Sequence, residues 1–378
     1  MRLLHVTPAY YPATYWGGPI WSTKAICDGM AAKTDVTLRV LTTDSAGPAI
    51  SERATPVDLP YPVHYARRWA GHSIAPALLR QLPQAMRWAD VVHLTAVYNM
   101  PTLPVFALAR LLGKPLIWSP RGALQATQDW QEAPKRFAKQ RFERMLNTIR
   151  PAKMLMHVTA PQEAATSMVH FPGVATQVIP NAVDVPATVR RSDRPIGRTR
   201  LIFLGRLHPK KGIDELIAAL ARLPGSFSLD IYGDGDAAYL AELKRAAASC
   251  AGRVCFHGHV GDADKAAAFE QADLFVLPSH SENFGIAVAE ALAHGVPVLT
   301  TQATPWQALA SHECGRCIDM QTDDLGNEIA VLAAQDLAAM GLRGRVWMQR
   351  DFSGQSMVAS FDRLYRDMIA PSLQEALA

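Results

Sequence analysis

With 378 residues, 49% of them hydrophobic and 19% charged, the chain has the length of two domains and the composition of an ordinary soluble globular enzyme. A net charge of +4 and a pI near 8.8 suit phosphate-bearing ligands or an anionic membrane surface, and are too weak to point to nucleic acid. No run approaches the ~20 apolar residues of a transmembrane helix. No signal peptide is expected, and five unevenly placed cysteines argue against a disulfide framework, so a reducing cytoplasm is the expected compartment.

Residues 3–7 read as a first strand, followed by a loop of Pro, Tyr and Gly and a helix from about Ser22. Gly17-Gly18 at this crossing can let the backbone approach a phosphate closely, although turns use glycine routinely. Residues 36–42, 91–94 and 116–119 continue the strands and alternate with helices over 77–88 and 103–112, a doubly wound α/β pattern. His93 ends one strand, where a ring could reach a cleft; a lone His there is as often packed as functional. Arg121 follows the strand at 116–119. An arginine cannot accept a proton near neutral pH, so acceptor or phosphate binding is its expected role. The helix predicted over 134–150 carries Lys135, Arg136, Lys139, Arg141, Arg144 and Arg150 among Phe137, Phe142, Met145 and Leu146. Its cations spread around the circumference, which favours a solvated helix, with an anionic membrane surface or lipid diphosphate as the functional alternative. Residues 154–159 form another strand, Glu163 begins a helix, and Pro and Arg accumulate without apolar periodicity over 186–199, which marks a linker.

The second half opens with a buried strand at 201–204, then Gly205 to Gly212 with Arg206, Lys210 and Lys211, then a helix from Ile213. Cations between a strand and a helix start are placed to meet a phosphate. Strands at 229–232 and 254–257 lead into Gly233-Asp234-Gly235 and Gly258-His259-Val260; the first lacks the third glycine of a dinucleotide fingerprint. Asp262 and Asp264 have a metal-chelating spacing, but they open a helix and read as a cap, so no metal is expected. A strand at 274–277 then runs into Ser281-Glu282-Asn283-Phe284-Gly285 and a helix stopped by Gly295-Val296-Pro297. Free N–H groups and the helix dipole make that turn an anion site. Glu282 precedes it, and Glu290 stands roughly 7 Å beyond Gly285 at 1.5 Å per residue. One carboxylate per sugar ring, with amides between for a diphosphate, fits a sugar nucleotide. Thr304-Pro305-Trp306 is expected to face the same cleft. Cys314-Gly-Arg-Cys317 has a redox or half-zinc spacing without a second pair, and reads as structural.

Glu282, seven residues and Glu290, with Phe284-Gly285 after the first, resemble the motif of the retaining nucleotide-sugar glycosyltransferases called family four, of the polysaccharide and lipopolysaccharide group 1 type. The Gly17-Gly18 loop, Gly205-Arg206 with Lys211-Gly212, and Ile179-Pro180-Asn181-Ala182-Val183-Asp184 resemble further motifs of that family, the last with Ala182 replacing Gly. The resemblance implies the GT-B architecture: two facing Rossmann-like domains with a cleft between them, an acceptor domain at 1–185, a linker at 186–199, a donor domain at 200–360, and a helix at 361–378 crossing back. It implies Glu282 on the donor sugar, Glu290 on the ribose, the Phe284, Gly285 and Ile286 amides on sugar and phosphate, and Arg206 and Lys211 on the diphosphate. Gly233, His259 and Val260 would lie near the base. Where many relatives carry His-Gly, this chain has Arg121-Gly122. The implied activity is metal-independent, retaining transfer of a hexose from a UDP- or GDP-linked sugar to a lipid-linked or polysaccharide acceptor, at the inner face of the cell membrane. No cofactor is implied beyond the nucleotide sugar as substrate. Two alternatives stand beside it: an epimerase-like enzyme of the same fold, and a non-catalytic sugar-nucleotide-binding module.

Overall fold

The computed structural model describes residues 1–124, 136–189 and 197–370. Pro134, Lys135 and residues 190–196 of the expected linker lie outside that range. The chain divides into two compact units, one made of Met1–Ala182 with the segment from Gly354 onward, the other of Val183–Ser353. The change of unit thus falls at Ala182, three residues before the expected end of the first domain.

In the first unit, β1 (Arg2–Val6), β2 (Thr37–Thr43), β3 (Val63–Ala66), β4 (Val91–Thr95), β5 (Leu116–Ser119), β6 (Met154–Val158) and β7 (Ala175–Val178) form one sheet in the order β3-β2-β1-β4-β5-β6-β7. Every pairing is parallel. Parallel strands need helical crossovers on both faces, which explains why β4 is buried throughout its length. Alternation sends Leu4 and Trp118 into one core, and Leu3 and Ile117 into another. The second core is closed by the Gly18–Ala31 and Gly354–Ile369 helices, the latter burying Phe361 and Tyr365. That last helix begins at Gly354, not at Phe361. Strands β3 and β7 have no counterpart in the sequence reading: both lie at sheet edges, and β7 buries none of its residues, so no apolar pattern marks it.

In the second unit, β8 (Thr199–Leu204), β9 (Phe227–Tyr232), β10 (Val254–Gly258), β11 (Leu274–Leu277), β12 (Val298–Thr301) and β13 (Gly315–Ile318) form a parallel sheet in the order β10-β9-β8-β11-β12-β13. Both sheets therefore have the doubly wound order, with the first strand central and the chain reversing direction beside it. Strand β13 carries Cys317, and Cys314 is buried just before it. Burial pushes the Cys314 thiol up to about 12 and that of Cys317 to about 11, the opposite of a reactive pair. The Asp262–Gln271 helix has Gly261 at its N-cap and no side-chain cap hydrogen bond, so Asp262 is its first residue and not the cap.

Candidate functional site

β8 and β11 lie side by side although the chain leaves them in opposite directions across the sheet. Loops that follow such strands diverge and open a crevice, and the expected phosphate ligands fall in these two loops. Main-chain bonds stitch the neighbouring loops into a rim. Gly205 N donates to Tyr232 O at 3.0 Å, Leu207 N to Asp234 O at 2.9 Å, and Gly233 N to Gly258 O at 2.8 Å. The packing leaves no room at Gly233, where φ is +137° and an added Cβ would stand 1.9 Å from Gly205 O. On the other side, His280 N donates to Lys210 O at 2.8 Å, which ties the loop after β11 to the loop after β8.

The turn after β11 ends in Gly285, whose φ of +74° starts the Ile286–Ala293 helix. No side-chain hydrogen bond caps that helix; Val288 N turns back to Gly285 O at 2.9 Å, which leaves the Ile286 and Ala287 N–H groups as donors at its start. A buried anchor sets the turn. Phe284 packs against Trp306 with ring centroids 5.3 Å apart, and Trp306 Nε1 donates to Phe284 O at 2.6 Å. Trp306 and Thr304 are buried, so this segment supports the turn from behind and does not face a ligand as expected. Phe284 offers only its main chain for the same reason.

Lys211 Nζ donates to Glu282 Oε1, so two residues expected to serve different parts of a ligand are in direct contact. Glu290 is paired too: Lys265 Nζ reaches its Oε1 at 2.7 Å. Lys265, on the Asp262–Gln271 helix, is a site residue that sequence reading did not single out. Its one signal is a cation among alanines. Arg206 is exposed and pairs with no described residue, and His259 is exposed on the loop after β10, with Val260 half-buried beside it. Among the described residues, no group of three or more His, Cys, Asp or Glu side chains is placed to hold a metal ion.

The remaining candidates belong to the first unit. Gly17 caps and Gly18 begins the Gly18–Ala31 helix, with open space around both. His93 is fully buried and both ring nitrogens are engaged: Nδ1 with Tyr365 OH at 2.7 Å, and Nε2 with Ser119 Oγ at 2.6 Å. It offers no group to a ligand, and its assignment as an acceptor or phosphate contact is corrected accordingly. Ser119 Oγ continues to His157 Nδ1 at 2.6 Å, and the His5 ring lies 4.4 Å from that of His93. Side-chain alternation puts this polar row across four strands on the face covered by the last helix. Arg121 ends the row with φ +55°, donating from Nη1 to Asn181 Oδ1 at 2.8 Å. Its Nε and Nη2 are buried without a hydrogen-bond partner. Burial lowers its pKa to about 10, which leaves it charged at neutral pH.

Residues 186–335 match the family described as Glycosyl transferases group 1. The phosphatidyl-myo-inositol mannosyltransferase of Mycolicibacterium smegmatis is 36% identical over 159 residues, 39% of this chain and 39% of that protein. The match thus spans well under half of that relative. Glycogen synthase of Mycobacterium tuberculosis is 29% identical over 322 residues, 78% of this chain and 73% of that protein. Among solved structures, Anabaena HepE in complex with UDP superposes with a TM-score of 0.73 at 17% identity, covering 97% of this chain and 100% of that one. The shared fold is GT-B, built of two Rossmann-like domains.

Proposed function

We propose that the chain, whose residues 186–335 match the group 1 glycosyltransferases, is a retaining hexosyltransferase that takes a hexose from a nucleoside diphosphate sugar and passes it to a lipid-linked or polysaccharide acceptor. The observation that carries this reading is the gathering of Arg206, Lys211, Glu282 and the uncapped start of the Ile286–Ala293 helix on the loops after β8 and β11. Two cations and a helix N-terminus suit a diphosphate, and a carboxylate beside them suits sugar hydroxyls. Glu290, further along the helix, is assigned to the ribose, and the loops bearing Gly233, His259 and Val260 to the base. The relative that binds UDP supports a UDP-linked donor.

In the proposed reaction the bond from the anomeric carbon to the diphosphate oxygen breaks while an acceptor hydroxyl attacks from the same face. The hydroxyl proton passes to the departing phosphate. Arg206, Lys211 and the helix dipole oppose the negative charge that grows on that phosphate, an interaction stronger in the transition state than in the ground state. Arg121, charged and with two unpartnered buried N–H groups, is assigned to an anionic group of the acceptor or donor. Thermal melts with a panel of nucleotide sugars test the donor assignment. A ligand at 100 times its Kd stabilises by about 2.7 kcal/mol. No shift with any nucleoside diphosphate sugar would remove the reading. With the phosphate ligands all cationic side chains or amides, turnover is expected to survive a chelator; activity lost with chelator and restored by Mn²⁺ would reassign Asp262 and Asp264.

A further inference from the structure

The residues just before β5 and β6 line an open pocket of about 690 Å³ at the N-terminal edge of the first sheet, the end opposite the loops that follow the strands. Arg110, Lys114, Arg150 and Lys153 line it together with Asn147, and no carboxylate occurs among the described residues of its wall. Two helices, Thr102–Leu111 and Arg136–Thr148, end beside it. Their carbonyl ends contribute roughly half a negative charge each, less than the three cations Arg110, Lys114 and Arg150.

Three of those cations are held in place by main-chain oxygens. Arg110 Nη1 donates to Thr148 O at 3.3 Å and Arg150 O at 3.1 Å, Lys114 Nζ to Ala89 O at 2.6 Å, and Arg150 Nη1 to Pro172 O at 3.0 Å. Neutral carbonyls fix these side chains without cancelling their charge. Both guanidinium groups keep Nε and Nη2 outside those bonds, a fork that suits phosphate oxygens. We propose that this pocket is a second anion site, separate from the loops assigned to the donor, and that it takes a phosphate group borne by a soluble phosphate ester or by a lipid headgroup. Arg110 and Arg150, preorganised by main-chain oxygens beside a wall with no acid among its described residues, lose little ordering freedom on binding, and a phosphate would accept from the guanidinium nitrogens outside those bonds.

Lysine acylation read by mass spectrometry on the full chain tests this, with inorganic pyrophosphate, phosphatidylglycerol vesicles and phosphatidylcholine vesicles as probes. Lys114 and Lys153 are expected to be protected by pyrophosphate, by phosphatidylglycerol, or by both, and not by phosphatidylcholine. Protection by pyrophosphate alone assigns a soluble ester, and protection by phosphatidylglycerol alone assigns a headgroup. Arg110→Gln with Arg150→Gln should weaken the protecting probe about tenfold or more, the loss of roughly 1.4 kcal/mol or more of charge-assisted bonding. Arg110→Lys, which keeps the charge, should retain protection and exposes any effect of misfolding. Lys211 in the same digest reports the donor loops independently, so failure there and failure here are read separately. If neither anionic probe protects Lys114, or if protection survives the double substitution, the site does not exist.

Discussion

At the scale of single residues, the contact between Lys211 and Glu282 makes their roles separable by experiment. Lys211→Ala removes charge that opposes the leaving diphosphate, so kcat should fall about 10² to 10³, and diphosphate affinity should drop with it. It also leaves Glu282 half-buried without its partner, a cost that conservative replacement avoids. Glu282→Gln keeps the shape and loses the charge. Discrimination between epimeric sugars should then weaken while affinity for the free nucleoside diphosphate barely changes. Calorimetry with the diphosphate product separates the two; equal loss of diphosphate binding in both variants, with sugar preference untouched, would mean the roles are misassigned.

At the scale of elements, the row of His5, His93 and His157 across β1, β4 and β6 ties the sheet to the last helix and carries a pH dependence. Burial, with Arg121 nearby, lowers His5 and His157 to about 3, and burial with the neighbouring histidines holds His93 well below its ordinary value. The unfolded chain binds these protons near pH 6.5 and the folded one does not, so their contribution is complete above 6.5 and is lost as pH falls towards 3. Each group then costs about 2 kcal/mol by pH 5. The first unit should melt earlier at pH 5 than at pH 7, and His157→Gln should shrink the difference. A melting temperature that stays level or rises on acidification would show that these rings are not buried neutral.

At the scale of the whole molecule, the first unit is discontinuous in sequence and the second is not. A chain ending at Ser353 loses Phe361 and Tyr365 from the core beside β1 and β4. The cost of removing large buried aromatics is about 3 to 5 kcal/mol each. Such a chain should show an early-melting first unit, whereas residues 183–353 expressed alone should fold and bind a nucleoside diphosphate; a single cooperative transition unchanged by the truncation would contradict the division. The Arg136–Thr148 helix also bears on the molecule's surroundings. Phe137 is 81% exposed there, beside exposed Arg136, Arg141 and Arg144. Salt-sensitive sedimentation with anionic vesicles is expected, reduced by Arg136→Glu with Arg144→Glu; equal partitioning with neutral vesicles would leave this helix simply solvated.

What depends on neighbours along the chain is legible in the order of the residues. Apolar runs of strand length, the strand–turn–helix around Gly285 and the cation-bearing loop from Gly205 to Gly212 are local patterns, and local patterns are read directly because consecutive residues set them. Tertiary structure alone decided which distant groups meet. Lys211 reaches Glu282 across 71 residues of chain and His93 reaches Tyr365 across 272, and no spacing rule encodes either contact. It also decided that Trp306 turns inward, that His93 is sealed in, and that edge strands β3 and β7 exist. Burial and ladder pairing belong to the assembled sheet, and a short exposed segment such as Ala175–Val178 becomes a strand only because β6 presents it with unpaired main-chain groups.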